Sequence, residues 1–172
     1  SLGKENIRKG VTSCIWALAM VSLFMVVFYR MFGLFANVAL AINVFMLVMV
    51  LSLFGATLTL PGIAAIVLTM GMAVDANVLI YARIREEIQN GVSPQQAIYA
   101  GYERAFITIL DANLTTFIVG FILFAIGTGP VKGFAITLCI GLATSMFTSV
   151  MISRAMANLV YGSRKNLQKI LI

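Results

Sequence analysis

The chain has 172 residues, of which 61% are hydrophobic and 10% are charged, and its mean hydropathy is +1.02. Soluble domains carry roughly 25% charged residues, and a single core in a chain of this length cannot bury so much apolar surface. The composition excludes a soluble globular domain. It predicts an integral membrane protein, because a bilayer solvates apolar helices of roughly 20 residues.

The formal net charge of +6 does not indicate a nucleic-acid partner, because the basic residues are scattered singly or in pairs without interleaved aromatic residues. Cys14 and Cys139 lie in apolar runs and have neither disulfide-framework nor zinc-site spacing. No metal or other cofactor is therefore predicted. Since the chain has no histidine, proton handling is left to carboxylates, arginine, lysine or tyrosine.

Five apolar runs, bounded by charged residues or by Gly and Pro, predict five transmembrane helices. These runs cover about 11–29, 32–54, 61–82, 105–126 and 133–160. The predicted fold class is an all-α membrane protein, with a bundle of five transmembrane helices forming one domain over residues 1–172. In the last run, small residues recur every three or four positions and predict close helix packing, at Gly133, Thr137, Gly141, Thr144, Ser145 and Thr148.

The longest connection between the predicted spans is 83–104. Its first half continues the third helix as an amphipathic extension to about Asn90, where Gly91 ends it. Ser93 and Pro94 then form a helix start, with Ser93 as the N-cap and Pro94 in the first helical position. We therefore expect a cytoplasmic helical elbow at the membrane surface between the third and fourth spans.

Charge predicts the orientation of the chain, because an odd number of spans puts the two termini on opposite sides. Eight basic residues fall on one side: Arg30, Arg83, Arg85, Arg104, Arg154, Arg164, Lys165 and Lys169. Four fall on the other side: Lys4, Arg8, Lys9 and Lys132. The positive-inside bias predicts a cytoplasmic C-terminus and an outside N-terminus. An outside N-terminus without a signal peptide needs a preceding span, so we expect a longer parent protein.

Two of the six acidic residues lie inside apolar spans. Asp75 lies about 10 Å inside the cytoplasmic end of the third span, and Asp111 about 9 Å inside that end of the fourth. A carboxylate at this depth costs at least about 2.5 kcal/mol in lipid. Each is a functional candidate, with a structural hydrogen-bonding role as the alternative. A solvated surface role is predicted for the other four acids, Glu5, Glu86, Glu87 and Glu103.

The tripeptide Asp-Ala-Asn occurs in both spans, at 75–77 and 111–113. The polar residues around the two aspartates are candidate supporting groups: Asn77, Asn113, Thr115 and Thr116. Gly71 lies one helical turn before Asp75, and its small size predicts that another helix packs closely there.

Two adjacent segments, GMAVDANVLI at 71–80 and RIREE at 83–87, match a known family, and further matches lie at 105–106, 111–116, 127–129, 132–135 and 145–148. Together they resemble the SecD family of bacterial protein-export membrane proteins, within the resistance-nodulation-division superfamily of proton-driven transporters. The related SecF proteins typically differ at the first motif and lack the Asp of the second, which favours SecD.

The resemblance implies the membrane half of such a protein, without its first transmembrane helix and periplasmic domain. It implies a non-enzymatic accessory subunit of the Sec translocase in the inner membrane, driven by the proton-motive force, with Asp75 as the proton carrier. The implied partners are SecF, the SecYEG translocon, YajC, exported preproteins, protons and membrane lipid. Ala82 departs from the family, which usually carries Glu at that position.

The sequence leaves two alternative functions open. One is a proton-coupled exporter of small molecules or lipids from the same superfamily. The other is an intramembrane aspartyl protease, which needs two membrane-embedded aspartates sharing a proton. The Gly-x-Gly-Asp signature of such proteases is absent, because Val74 precedes Asp75 and Leu110 precedes Asp111.

Overall fold

The structure, a computed structural model, describes residues 2–162 and residue 172. Its helices are α1 (Leu2–Leu53), α2 (Leu60–Gln89), α3 (Pro94–Ile126), α4 (Pro130–Met146) and α5 (Ser153–Ala157). Two π-helical segments, Phe147–Ile152 and Asn158–Gly162, flank α5, so that Pro130–Gly162 forms one continuous helical rod. Three residues counted in the topology prediction, Arg164, Lys165 and Lys169, lie outside the described residues.

Four of the described helices are long and apolar enough to cross a membrane, where the sequence predicted five. The difference arises in α1, because the predicted spans 11–29 and 32–54 both lie within it. Its backbone leaves helical geometry at Arg30, with φ 50° and ψ −114°. The first two predicted spans therefore correspond to two helical halves of α1 that meet at the kink at Arg30.

The two halves of α1 lie side by side. Asn37 Nδ2 donates to the carbonyl oxygen of Ser22 at 3.1 Å, although residues fifteen apart in a straight helix are separated by about 22 Å. A Cβ atom at Gly33 would overlap the carbonyl group of Met25. The reversal at Arg30 therefore needs glycine at position 33, because only a bare backbone allows the returning half to approach so closely.

The turn between α2 and α3 has the predicted helix ends. Helix α2 ends at Gln89 and Gly91 has a φ of 84°, which confirms the predicted stop. Helix α3 begins at Pro94, as predicted, and continues unbroken through the predicted fourth span. Most of 83–104 therefore belongs to the ends of two long helices, and a separate elbow along the membrane surface is not confirmed.

Aromatic rings from several helices form the core near the reversal of α1. Phe32 is fully buried, stacks on Tyr161 with centroids 5.6 Å apart, and meets Tyr81 edge-on at 5.2 Å. Tyr102 on α3 is also buried, and its hydroxyl lies 2.9 Å from Ser153 Oγ. These contacts join α1, α2, α3 and the end of the helical rod, and they position α2 against α3.

The predicted close packing of the last span is confirmed at Gly141. A Cβ atom there would lie 2.6 Å from Thr69 Cγ2 on α2, which is closer than real side chains approach. Gly120 on α3 is similarly close to α4, since its Cβ would lie 2.8 Å from Cys139 Sγ. Helix α4 therefore packs between α2 and α3 at positions where glycine leaves the backbone bare.

Glu87 corrects one prediction, because the sequence assigned it to a solvated surface. Its side chain is 8% exposed and pairs with Arg104 across the turn between α2 and α3. The neighbouring Glu86 is half exposed and pairs with Arg83 at 2.6 Å. Glu87 is buried because α2 and α3 continue past the predicted membrane boundary and pack against each other there.

Replacing Glu87 with Gln is expected to lower the free energy of unfolding by about 1–2 kcal/mol, because the hydrogen bond from Arg104 then goes to a neutral amide oxygen and loses its ionic character. Glu86→Gln is the matched control, and its expected effect is under about 1 kcal/mol because that pair is exposed. Denaturant titration of both variants in the same detergent measures the difference. Equal losses would mean that the Glu87–Arg104 pair contributes no more than a surface pair.

Candidate functional site

The two aspartates lie near the midpoints of adjacent long helices. Asp75 is about 22 Å along the axis from the start of α2 and about 21 Å from its end. Asp111 lies similarly about 25 Å from the start of α3 and about 22 Å from its end. Their host helices are apolar, with mean hydropathy 2.0 in the most apolar window of each. Both carboxyl groups are thus farther from a helix end than the predicted spans suggested, because α2 and α3 continue past the predicted span ends.

Asp75 lines a cavity of about 190 Å³ between α2 and α3. Its other lining residues are Met72, Ala76, Leu79, Thr108, Ile109, Ala112 and Asn113. The cavity thus contains Asp75 from the first Asp-Ala-Asn motif and Asn113 from the second. Asn113 is 7% exposed, whereas Asp75 lies on an exposed face of α2. The structure therefore brings an acid and an amide of the two motifs to one site.

The remaining predicted polar residues are arranged differently. Asp111 is exposed and is not among the residues that line the Asp75 cavity. The hydroxyl groups of Thr115 and Thr116 donate to carbonyl oxygens one turn earlier, at 2.9 and 3.0 Å. Asn77 is buried and its Nδ2 donates to the Ala73 carbonyl at 3.2 Å. The two threonines and the Asn77 amide nitrogen therefore bond to their own helices, Asn77 Oδ1 has no partner among the described residues, and none of the four residues lines the cavity.

Gly71 lies on an exposed part of α2. A Cβ atom built there meets no atom of the described chain within 4 Å. No described helix packs against this glycine, so the predicted close approach of another helix is not seen in residues 2–162 and stays a prediction.

Ion pairing separates the glutamates from the aspartates. Each of the four glutamates pairs with a basic residue: Glu5 with Lys9, Glu86 with Arg83, Glu87 with Arg104 and Glu103 with Arg154. Within 2–162, neither Asp75 nor Asp111 forms such a pair. An unpaired carboxylate in an apolar helix is costly in lipid. Asp75 and Asp111 are therefore the acids whose charge no basic side chain in residues 2–162 offsets.

Sequence analysis missed a buried amide in α1. Asn43 is fully buried, and neither its oxygen nor its nitrogen finds a hydrogen-bond partner among the described residues. The signal was present, because an asparagine inside the apolar run 32–54 is itself unusual. A row of buried hydroxyl groups lies at the π-helical segment: Ser145, Thr148, Ser149 and Ser153. The sequence predicted only packing for Ser145 and Thr148 and did not single out Ser149 or Ser153. Such π-helical insertions often occur at functional sites.

In the part of the chain that the structure describes, no three His, Cys, Asp or Glu side chains are grouped to hold a metal ion. The chemistry available at the Asp75 cavity is protonation and hydrogen bonding. These features define an all-α, multi-pass membrane protein with unpaired carboxyl groups at mid-helix.

Comparison with known proteins identifies the family. The family described as "Protein export membrane protein SecD/SecF, C-terminal" matches residues 1–163. The chain belongs to this family of protein-export membrane proteins.

The similar proteins are much longer than this chain. It is 63% identical to the protein translocase subunit SecD of Pseudomonas aeruginosa, over 95% of this chain and 26% of that protein. It is 54% identical to SecD of Escherichia coli K12, over 96% of this chain and 27% of that protein. The crystal structure of SecDF from Thermus thermophilus matches with a TM-score of 0.85 and 36% identity, over 94% of this chain and 23% of that one. The chain thus spans about a quarter of these relatives.

Proposed function

We propose that this chain is the membrane part of a SecD-type accessory subunit of the Sec translocase in the bacterial inner membrane. In this proposal it assists preprotein export, and Asp75 carries the protons whose inward movement drives the process. Family membership supports the role in export. One observation carries the role of Asp75: of the two unpaired carboxyl groups in residues 2–162, it is the one that lines the cavity between α2 and α3.

The physical basis of this proposal is that the protonation state of a carboxyl group depends on its surroundings. Water favours the charged form and an apolar interior favours the neutral form, so access to water and protonation are linked. A helix movement that changes access can therefore be coupled to proton uptake and release. Each proton that crosses supplies about 2.3 kcal/mol for every 100 mV.

Asn113 is suited to assist this exchange, because an amide can donate to a carboxylate and accept from a carboxylic acid. Asn77, Asp111, Thr115 and Thr116 are assigned accessory roles. Ala82 lies on an exposed part of α2 and has no titratable group. Our proposal therefore includes no proton relay through position 82.

The partners follow from the family. A carboxyl group on an exposed helix face is costly in lipid, so we propose that SecF covers the Asp75 face of α2. SecYEG, YajC and the exported preprotein are further proposed partners. The first transmembrane helix and the periplasmic domain belong, in this proposal, to the three quarters of a SecD protein that this chain does not span.

We further propose that the chain crosses the membrane five times, because the two halves of α1 lie side by side. The N-terminus is then outside, and the reversal at Arg30, the turn at 90–93 and the C-terminus are cytoplasmic. The turn at 90–93 is thus the part of the proposed cytoplasmic elbow that joins α2 to α3.

Cysteine labelling tests this topology. In a variant lacking Cys14 and Cys139, an impermeant thiol reagent added to spheroplasts is expected to label Gly129→Cys and not Asn90→Cys. Permeabilised cells provide the control, since both positions are exposed and react there. Labelling of position 90 but not 129 before permeabilisation would reverse the proposed orientation.

The alternatives differ in what they transport or cut. An aspartyl protease needs two aspartates sharing a proton, and Asp111 does not line the Asp75 cavity. A small-molecule exporter would use the same carboxyl chemistry on a different substrate. Vesicles containing the complete complex separate the functions, because gradient-dependent preprotein export supports our proposal and gradient-dependent dye efflux without export contradicts it.

A further inference from the structure

A larger cavity lies away from Asp75, between the two halves of α1 and the start of α2. Its volume is about 360 Å³, within the range of about 300–1,000 Å³ typical of ligand sites. Most of its lining is apolar and includes Val11, Ile15, Leu18 and Val48. Ile15 is 62% exposed and Val48 is 52% exposed, so the cavity opens onto the outer surface of the bundle, where a membrane protein meets lipid.

Two basic residues belong to the same helical stripe as this lining. Lys4 and Arg8 precede Val11, Ile15 and Leu18 at alternating intervals of four and three, which is the spacing of one face of an α-helix. The nearby Glu5 pairs with Lys9 at 3.2 Å, so the segment keeps a positive charge after that pair is neutralised. The basic end of the stripe therefore lies directly beyond the open apolar cavity.

Lys4 and Arg8 lie at the level of the membrane surface. A Cβ atom at Gly10 would lie 3.4 Å from Ile63 and 3.6 Å from Leu60, so Gly10 is level with the start of α2. Along α1, Arg8 lies about 3 Å and Lys4 about 9 Å beyond Gly10. The headgroup layer on each side of the hydrocarbon is roughly 5–7 Å thick. The two side chains can therefore reach phosphate groups in that layer.

We propose that this cavity binds an acyl chain of an anionic phospholipid whose phosphate lies against Lys4 and Arg8. The apolar cavity and the basic pair complement the two parts of one molecule, and both lie on one face of α1. A free phosphate ion matches only the basic pair, and a neutral lipid matches only the cavity. This lipid site is separate from the proposed export function, and the tests below do not measure export.

Native mass spectrometry of the complete complex tests lipid selectivity after reconstitution in equal amounts of phosphatidylglycerol and phosphatidylethanolamine. The wild type is expected to retain phosphatidylglycerol preferentially, and Lys4→Gln with Arg8→Gln to reduce that retention about fivefold. Lys132→Gln is the matched control, because Lys132 is predicted on the same side of the membrane, does not line the cavity and lies over the Phe124 ring. Equal losses in the two variants, or no preference in the wild type, would overturn the proposal.

A second pair of variants tests the cavity itself. Val48→Phe fills it and is expected to reduce retention of phosphatidylglycerol about fivefold, with the basic residues unchanged. Val27→Phe is the control, because Val27 is 65% exposed on α1 and does not line the cavity. Full retention in Val48→Phe would mean that the acyl chain lies elsewhere.

Cys14 identifies the occupant directly, because it also lines the cavity. In a Cys139→Ala background, a photoactivatable group attached to Cys14 in the membrane-embedded complex is expected to cross-link to phospholipid. The same group attached at Val27→Cys, with Cys14 also removed, reports ordinary contact with bulk lipid. A cross-link from Cys14 to a protein subunit would show that a neighbouring helix fills the cavity and would overturn the lipid site.

Discussion

Replacing Asp75 with Asn is expected to remove the proton-gradient-dependent part of preprotein export and to leave membrane insertion and SecF binding intact. Asparagine has nearly the same shape as aspartate but cannot release a proton at working pH. The measurement is export into vesicles that contain the complete complex, with and without a proton gradient. Export by Asp75→Asn should fall to the level that the wild type shows without a gradient.

Asp111→Asn is the matched control, since Asp111 is also unpaired and also lies near mid-helix, but does not line the Asp75 cavity. We expect this variant to keep a measurable part of the gradient-dependent export. Gradient-dependent export that survives in Asp75→Asn would defeat the proposed mechanism. Complete loss in both variants would mean that Asp111 has an equal role.

Asn113 offers a finer test of the same site. If its amide supports proton exchange across the cavity, Asn113→Asp should alter export more than the same change at Asn77, which is buried on its own helix and bonded to Ala73. The contrast follows from the cavity, because Asn113 lines it and Asn77 does not.

Local signals predicted the helix ends well. Gly91 ends α2 because glycine readily adopts the left-handed conformation, and Pro94 starts α3 because the first helical position needs no backbone N–H. Both effects act within one turn of the chain. The reversal at Arg30 was located between two predicted spans, but its form was not predicted. No Gly or Pro occupies the turn itself. The reversal depends on Gly33, whose bare backbone lets the second half of α1 pack against Met25 in the first half.

The candidate site, like the fold, was predicted from the sequence only in part. Charges inside apolar spans directed attention to Asp75 and Asp111, because their cost in lipid can be judged from sequence. Which of them shares a cavity with Asn113 depends on the rotation of α2 against α3. That rotation is set by tertiary contacts such as the ion pair between buried Glu87 and exposed Arg104, and a single sequence contains no direct measure of them.

Gly141→Leu is expected to disrupt the bundle, with a loss of roughly 1–3 kcal/mol in the free energy of unfolding or failure to accumulate in the membrane. The first added carbon already meets Thr69 on α2 at 2.6 Å, and both positions are buried, so the larger side chain must separate α2 from α4. Thermal unfolding in detergent and the amount of inserted protein measure the effect. A variant as stable as the wild type would contradict the packing of α4 on α2.

Gly71→Leu is the matched control for this substitution, because a Cβ atom at position 71 meets no described atom within 4 Å and the position borders a cavity of about 110 Å³. The chain itself should therefore remain as stable as the wild type. In the assembled complex, however, Gly71 lies one turn from Asp75, and the sequence predicts that another helix packs there. Gly71→Leu should then impair export while the protein stays inserted. Wild-type export would instead mean that this face of α2 meets lipid, and the predicted helix contact would be wrong.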